Sequence, residues 1–98
     1  MLQITLQQNN LIAFNGELNF TAVNAAIWEQ SKTLIDVAAT DFSVDFSGVS
    51  SSDSTGVALL VSWVRHAKSL NKTIHFIHIP KQMLAIIRVS GLEKLINC

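Results

Sequence analysis

Only one cysteine, Cys98, occurs among the 98 residues of the chain. One thiol cannot close an intramolecular disulfide, and a lone thiol fits a reducing compartment better than an oxidising one. Charge is scarce and balanced. Charged residues make up 14%, seven basic and seven acidic, for a formal net charge of zero. A nucleic-acid binder of this size carries a basic excess on one face, so the composition argues against DNA and RNA as partners. Long apolar runs are missing as well. No uninterrupted stretch exceeds the five residues 57–61, far below the ~20 that a membrane-spanning helix needs. The opening Met1-Leu2-Gln3-Ile4-Thr5 has neither the basic nor the apolar segment of a secretory signal. The expectation is a cytoplasmic protein. Repeats, low-complexity segments and linkers are absent too, which predicts a single domain over residues 1–98.

What the chain does have is apolar surface. Hydrophobic residues are 49% of the total and the mean hydropathy is +0.36. A folded chain of 10.8 kDa buries roughly 65% of its extended surface, enough for one core without staples. The remaining apolar content predicts a dense core, an apolar docking face, or both.

Periodicity divides the chain. Leu2, Ile4 and Leu6 alternate with Gln3, Thr5 and Gln7, and residues 11–14 resume the pattern after Gln8-Asn9-Asn10. Residues 2–15 therefore read as a hairpin, with a bend at Asn15-Gly16. From Ala22 the period becomes helical, with Thr21 as N-cap and Val23, Ala26, Ile27, Gln30 and Leu34 on one face. Trp28 and Ile35 fall to one side of that face, as packing residues or as exposed apolar area. Phe42, Val44 and Phe46 mark a third strand. Asp45 between them should face solvent or a polar partner. A small-residue loop over residues 48–56 then leads into a helix over residues 55–70. That helix turns Val57, Leu60, Trp63, Val64, Ala67 and Leu70 to one side, with Ala58, Ser62, Arg65 and Ser69 opposite. Lys72 suits its C-terminus. Residues 73–79 read as a fourth strand, and Pro80 opens a third helix. That helix has Met83, Leu84 and Ile87 as its apolar face and Gly91 as its stop. Leu95-Ile96 is predicted to form a short last strand. Strands alternating with helices imply a mostly parallel sheet, made mixed by the first hairpin. The class is α/β, with three to four helices on one face.

Asp53-Ser54-Thr55-Gly56 is the most informative stretch. Asp53 or Ser54 can cap the first turn of the helix. A hydroxyl at a helix N-terminus is also well placed to carry a phosphate, because the dipole favours negative charge there. Enzyme readings fail on spacing. The Asp-Thr/Ser-Gly triplet of aspartic proteases is broken by an extra residue, and Gly48 and Gly56 do not match a phosphate-binding loop. Gly-x-Ser-x-Gly is absent. His75 and His78, three apart on a strand, point to opposite faces and cannot share a metal ion. His66 is alone on a polar helix face. Neither a metal nor a cofactor is implied.

Taken together, these residues resemble a STAS domain. Asn15-Gly16-Glu17-Leu18 is similar to the family's turn after the second strand, with Asn19 where aspartate is usual. Val44-Asp45-Phe46-Ser47-Gly48-Val49 resembles the third strand and its exit. Asp53-Ser54-Thr55-Gly56-Val57-Ala58-Leu59-Leu60 matches the loop-to-helix signature, preceded by Ser50-Ser51-Ser52 where the family often has bulkier residues. Val89-Ser90-Gly91-Leu92 resembles the turn after the last long helix. The resemblance implies the STAS fold and a noncatalytic protein. Two branches are open. In anti-sigma-factor antagonists, the serine aligned with Ser54 is phosphorylated by an anti-sigma factor kinase. In the small standalone STAS subunit of a phospholipid ABC transporter that maintains lipid asymmetry, the aligned residues contact the ATPase, which works with a membrane permease. Trp28-Glu29, the apolar helix through Trp63 and Ala67-Lys68, and Ile77-His78-Ile79-Pro80-Lys81-Gln82-Met83 favour the second branch. The partner-binding residues it implies are Asp53, Ser54, Thr55, Gly56, Ala58, Leu59 and Ser62. The antagonist branch makes Ser54 a phosphorylation site.

Overall fold

The computed structural model describes residues 2–8, 10–19 and 21–96. Cys98, Met1 and Asn9 of the expected turn lie outside the described residues. The elements run β1 (Gln3–Gln8), β2 (Leu11–Leu18), α1 (Ala25–Val37), β3 (Asp41–Ser52), α2 (Ser54–Ser69), β4 (Thr73–Ile77), α3 (Lys81–Val89) and α4 (Glu93–Ile96). The sheet order is β1-β2-β3-β4. β1 and β2 pair antiparallel, while β2, β3 and β4 run parallel. This is the mixed, mostly parallel sheet that the alternating periods predict.

One face of the sheet makes the core. Ile4, Ile12, Phe14, Phe42, Val44 and Phe46 are buried together with Ile35 of α1, Leu60 and Trp63 of α2, and Met83 and Ile87 of α3. Phe14, Phe46 and Trp63 stack, with ring centroids 4.7 Å apart for Phe14–Trp63 and 5.8 Å for Phe14–Phe46. The indole N–H of Trp63 donates to Ser31 Oγ at 2.9 Å, and Ser31 donates in turn to the Trp28 carbonyl at 2.8 Å. Ser31, a buried polar residue, is thereby satisfied as buried polar groups must be.

Several boundaries differ from the sequence expectation. β2 does not bend at Asn15-Gly16 but continues to Leu18, and residues 48–52 extend β3 instead of forming a loop. The two extensions pair in parallel, Asn15 with Gly48 and Leu18 with Ser52, and two register shifts give β3 the extra residues. Backbone pairing, not side-chain alternation, makes this segment a strand. α1 starts three residues later than Ala22. Its cap is Asn24, whose Oδ1 accepts from Ile27 N at 3.0 Å, so Thr21 is not the cap. The buried side shifts accordingly to Ser31 and Ile35, while Ala26 and Gln30 are exposed. Pro80 is the N-cap of α3, one position before the helix. Leu95 and Ile96 form a helical turn, with Ile96 N donating to the Leu92 carbonyl, and not a strand.

Lys72 also acts elsewhere than expected. It stands beyond the end of α2, and its ammonium donates to the carbonyls of Ile35, Asp36 and Ala38 at 2.7, 2.8 and 2.8 Å. It closes the C-terminus of α1 across the fold. Gly91, at φ +70°, stops α3 as predicted. Its N–H reaches the Arg88 carbonyl, and Leu92 N reaches that of Ile87.

Candidate functional site

The signature stretch lies where β3 hands over to α2. Asp53 is the N-cap, and its Oδ1 accepts from Thr55 N at 2.8 Å. The capping role thus falls to Asp53 and leaves Ser54 as the first helical residue, exposed. Gly56 is buried. A Cβ there would stand 2.9 Å from the Leu18 carbonyl oxygen and 3.2 Å from Leu18 Cγ. The glycine lets the first turn of α2 press onto the end of β2, which fixes the direction of the helix.

The resulting surface is small-residued, and the one carboxylate at its head, that of Asp53, is turned onto the Thr55 N–H. Thr55 is half-buried, Ala58 exposed and Leu59 buried. Ser62 is half-buried and donates to the Ala58 carbonyl at 3.1 Å. Thr55, Ala58, Leu59 and Ser62 line a cleft of about 290 Å³ with Val23 and Trp28. A second hollow of about 320 Å³ adjoins it, lined by Trp28, Ser62, Arg65 and His66. Trp28 and Ser62 belong to both, so the two form one groove between α1 and α2. The Trp28 indole is held in place, with Lys32 Nζ 5.7 Å from its ring centroid and the His66 ring edge-on at 6.3 Å. His66 is not alone: its Nε2 lies 2.7 Å from Asp36 Oδ1 on α1. Of the residues expected from the sequence, Thr55, Ala58, Leu59 and Ser62 line the groove, whereas Ser54 is exposed outside its lining and Asp53 and Gly56 build the helix start. Trp28, Val23, Arg65 and His66 join them unforeseen. The angular position of Trp28 was the signal for it, but it allowed packing and exposure equally.

The approach to α2 is secured by a network at the end of β2. The Asn19 amide donates to Glu17 Oε2 at 2.9 Å and to Ser51 Oγ at 3.3 Å, and its oxygen accepts from Ala22 N at 3.0 Å. An aspartate in its place could not donate to the glutamate and would repel it. Ser51 thus ties the β2–α1 connection to β3. Ser52 Oγ is buried and has no hydrogen-bond partner among the described residues.

A separate polar cluster closes the far end of β4. His78 sits just beyond the strand at φ +57°, and its Nδ1 lies 2.9 Å from Asp45 Oδ1. Ser47 donates its N–H to the same carboxylate at 2.9 Å and its hydroxyl at 3.1 Å. Burial works upward on the Asp45 carboxyl. The Ser47 N–H, His78 and the Ser47 hydroxyl outweigh it together and hold the group below its ordinary 3.8. The left-handed turn at His78 breaks the strand alternation that set it opposite His75. The two rings still take different carboxylates, His75 pairing with Asp41 at 3.0 Å. Among the described residues no group of three or more His, Cys, Asp or Glu side chains could hold a metal ion. No helix of the described residues is long and apolar enough to cross a membrane.

A four-stranded mixed sheet, with helices on one face and this strand-to-helix signature at the end of an inner strand, is the pattern of a STAS domain. The family described as "Mlab, STAS domain" matches residues 5–97, and the chain belongs to it. Among curated proteins it is similar to the intermembrane phospholipid transport system binding protein MlaB of Haemophilus influenzae. The two are 31% identical over 100 residues, covering 95% of this chain and 93% of that protein. Solved structures share the fold. The anti-sigma factor antagonist SpoIIAA in its unphosphorylated form superposes with a TM-score of 0.72 at 22% identity, over 97% of this chain and 84% of that one. The phosphorylated form of the Bacillus protein gives 0.62 at 20% identity, over 97% and 87%.

Proposed function

We propose that this chain is a noncatalytic STAS subunit of an ABC-type phospholipid transport complex and that it docks on the ATPase of that complex. The kinship with MlaB supports the system. The observation that carries the site is the groove between α1 and α2, headed by Thr55, with Ser54 exposed one position before it, and walled by Trp28. Its head has small hydroxyl and alanine side chains, so a partner surface can come close without burying a charge. Trp28 supplies a pre-ordered aromatic anchor of the kind that dominates interface energetics. Docking acts by differential affinity: it stabilises one conformation of the ATPase and performs no chemistry. The subunit then works in the cytoplasm, held at the inner membrane through its complex with ATPase and permease. The test is co-purification from native membranes together with ATPase assays of the assembled complex. Thr55→Arg should displace the partner sterically and electrostatically. Trp28→Ala should weaken binding about 30-fold, as loss of an aromatic anchor does. Full assembly and activity in both variants would remove the site from the groove.

A second reading rests on the exposed position of Ser54 at the first turn of α2. A phosphate there adds a charge of about −2 beside the helix N-terminus and would expel a bound partner. This is the antagonist switch. A mass increase confined to Ser54 after incubation with a co-purifying kinase would favour it. Recovery of an ATPase and a permease without any kinase would sink it.

A further inference from the structure

The C-terminal half of α2 borders a second cleft, of about 300 Å³, between β4 and α4. Lys68 lies 14 positions along α2 from Ser54, roughly 20 Å at the helical rise. The docking groove reaches Arg65 and His66 on the same helix, but the cleft shares no lining residue with it, and its chemistry does not rest on the docking proposal. Its walls are apolar, with Val64 and Ile96 buried and Ile74 half-buried. Lys68, Lys72 and Lys94 also line it, and among the described residues no carboxylate does. Three of the seven basic side chains of a chain with zero net charge thus meet at one hollow.

The three lysines play different parts. The Lys72 ammonium spends its three donors on the carbonyls of Ile35, Asp36 and Ala38. It is a fixed positive charge with nothing left to donate. Lys68 and Lys94 are exposed, and among the described residues neither has a hydrogen-bond or ion-pair partner. The carboxylates of neighbouring elements are engaged elsewhere, Asp36 with His66 and Asp41 with His75. Glu93, next to Lys94, is exposed and does not line the cleft.

We propose that this cleft binds a phosphate-bearing anion with a short apolar body, the phosphoryl group taken by Lys68 and Lys94 and the carbon chain lying on Ile74 and Ile96. Ammonium groups act as point charges for phosphate oxygens, and the fixed charge of Lys72 adds to their field. The volume equals about ten water molecules at ~30 Å³ each. That is room for a headgroup and the first carbons of a chain, or for a small phosphomonoester. The phosphate can come from a phospholipid headgroup or from a free phosphate compound.

Backbone amide shifts of the isotope-labelled full chain decide the matter. Three probes are titrated: inorganic phosphate, a monomeric short-chain phosphatidylglycerol, and an uncharged glucoside with the same chain length. Saturable shifts are expected at Lys68, Thr73, Ile74 and residues 94–96, and none at Ser54 or Thr55. Lys68→Gln and Lys94→Gln, both at exposed positions, should each weaken binding about tenfold, and added salt should weaken it further. Saturation by inorganic phosphate alone assigns the site to free phosphate compounds. Shifts with phosphatidylglycerol only assign it to a lipid headgroup. Equal shifts with the glucoside would reduce the cleft to apolar contact and overturn the proposal. So would no shifts with either phosphate probe, or unchanged affinity in the double variant.

Discussion

Asn19 shows how much one residue can carry. Its amide bridges Glu17 and Ser51 while its oxygen holds Ala22, so the departure from the family's aspartate has a hydrogen-bonding reason that spacing alone does not disclose. Two further residues make measurable claims. Ser52 buries a hydroxyl with no partner among the described residues, and such a group costs its desolvation without return. Ser52→Ala is expected to raise stability by about 1 kcal/mol, read as a higher urea midpoint at unchanged slope. Asp45 makes the second claim. Its folded-state pKa lies below the ordinary value, so the fold binds the carboxylate form more tightly than the unfolded chain does. The stabilisation is fully present above about pH 4 and is lost as pH falls through the folded value. Asp45→Asn should therefore be less stable than the parent at neutral pH, and the gap should close on acidification. A constant gap from pH 7 down to about pH 2 would separate Asp45 from the acid limb. The Gly91 stop was legible in the sequence and the cap of α2 was narrowed to Asp53 or Ser54, because capping follows local rules; the fold uses Asp53. The His–Asp pairs were not, because each joins residues more than 29 positions apart and only the topology brings them together.

At the level of elements, the order of strands and helices was readable and several of their ends were not. Residues 48–52 have no apolar alternation, so nothing in their side chains announces a strand. They are held by parallel pairing with β2 across two register shifts. Leu95 and Ile96 look β-prone, but a four-residue segment follows its tertiary neighbours more than its propensity. Ile96 is drawn into the core from a helical turn. Lys72 is the sharpest instance. A lysine after a helix suggests a favourable dipole contact, yet its ammonium closes a different helix, α1, by three carbonyl hydrogen bonds. Charge-assisted hydrogen bonds of this kind are worth about 1.5–3 kcal/mol each before non-additivity. Lys72→Met, which keeps the stem and removes the ammonium, should cost about 2–3 kcal/mol in denaturant unfolding. The neighbouring exposed Lys68→Gln should stay within about 0.5 kcal/mol. Equal effects would mean that the ammonium of Lys72 is interchangeable with a surface charge.

Across the whole molecule, β2, β3 and β4 run in one direction; β2 and β3 end together at Leu18 and Ser52, while β4 stops earlier, with Ile77 level with Asp45. Helices α1, α2 and α3 start from the carboxyl ends of these strands, as ligand- and partner-facing loops do in open α/β sheets. The groove between α1 and α2 that we propose for docking begins there, and the aromatic stack of Phe14, Phe46 and Trp63 holds α2 in a fixed position. This arrangement separates stability from binding at Ser54. The residue is exposed at the first turn of a 16-residue helix, and no acidic side chain lies in that turn. A negative charge placed there meets the positive end of the helix dipole. Ser54→Glu should therefore stabilise the isolated domain by about 0.3–1 kcal/mol, seen as a small rise in melting temperature. The same charge one position before the head of the groove should weaken capture of the partner complex. Docking and stability moving in opposite directions would tie Ser54 to recognition, whereas a variant that loses both would mark it as part of the scaffold.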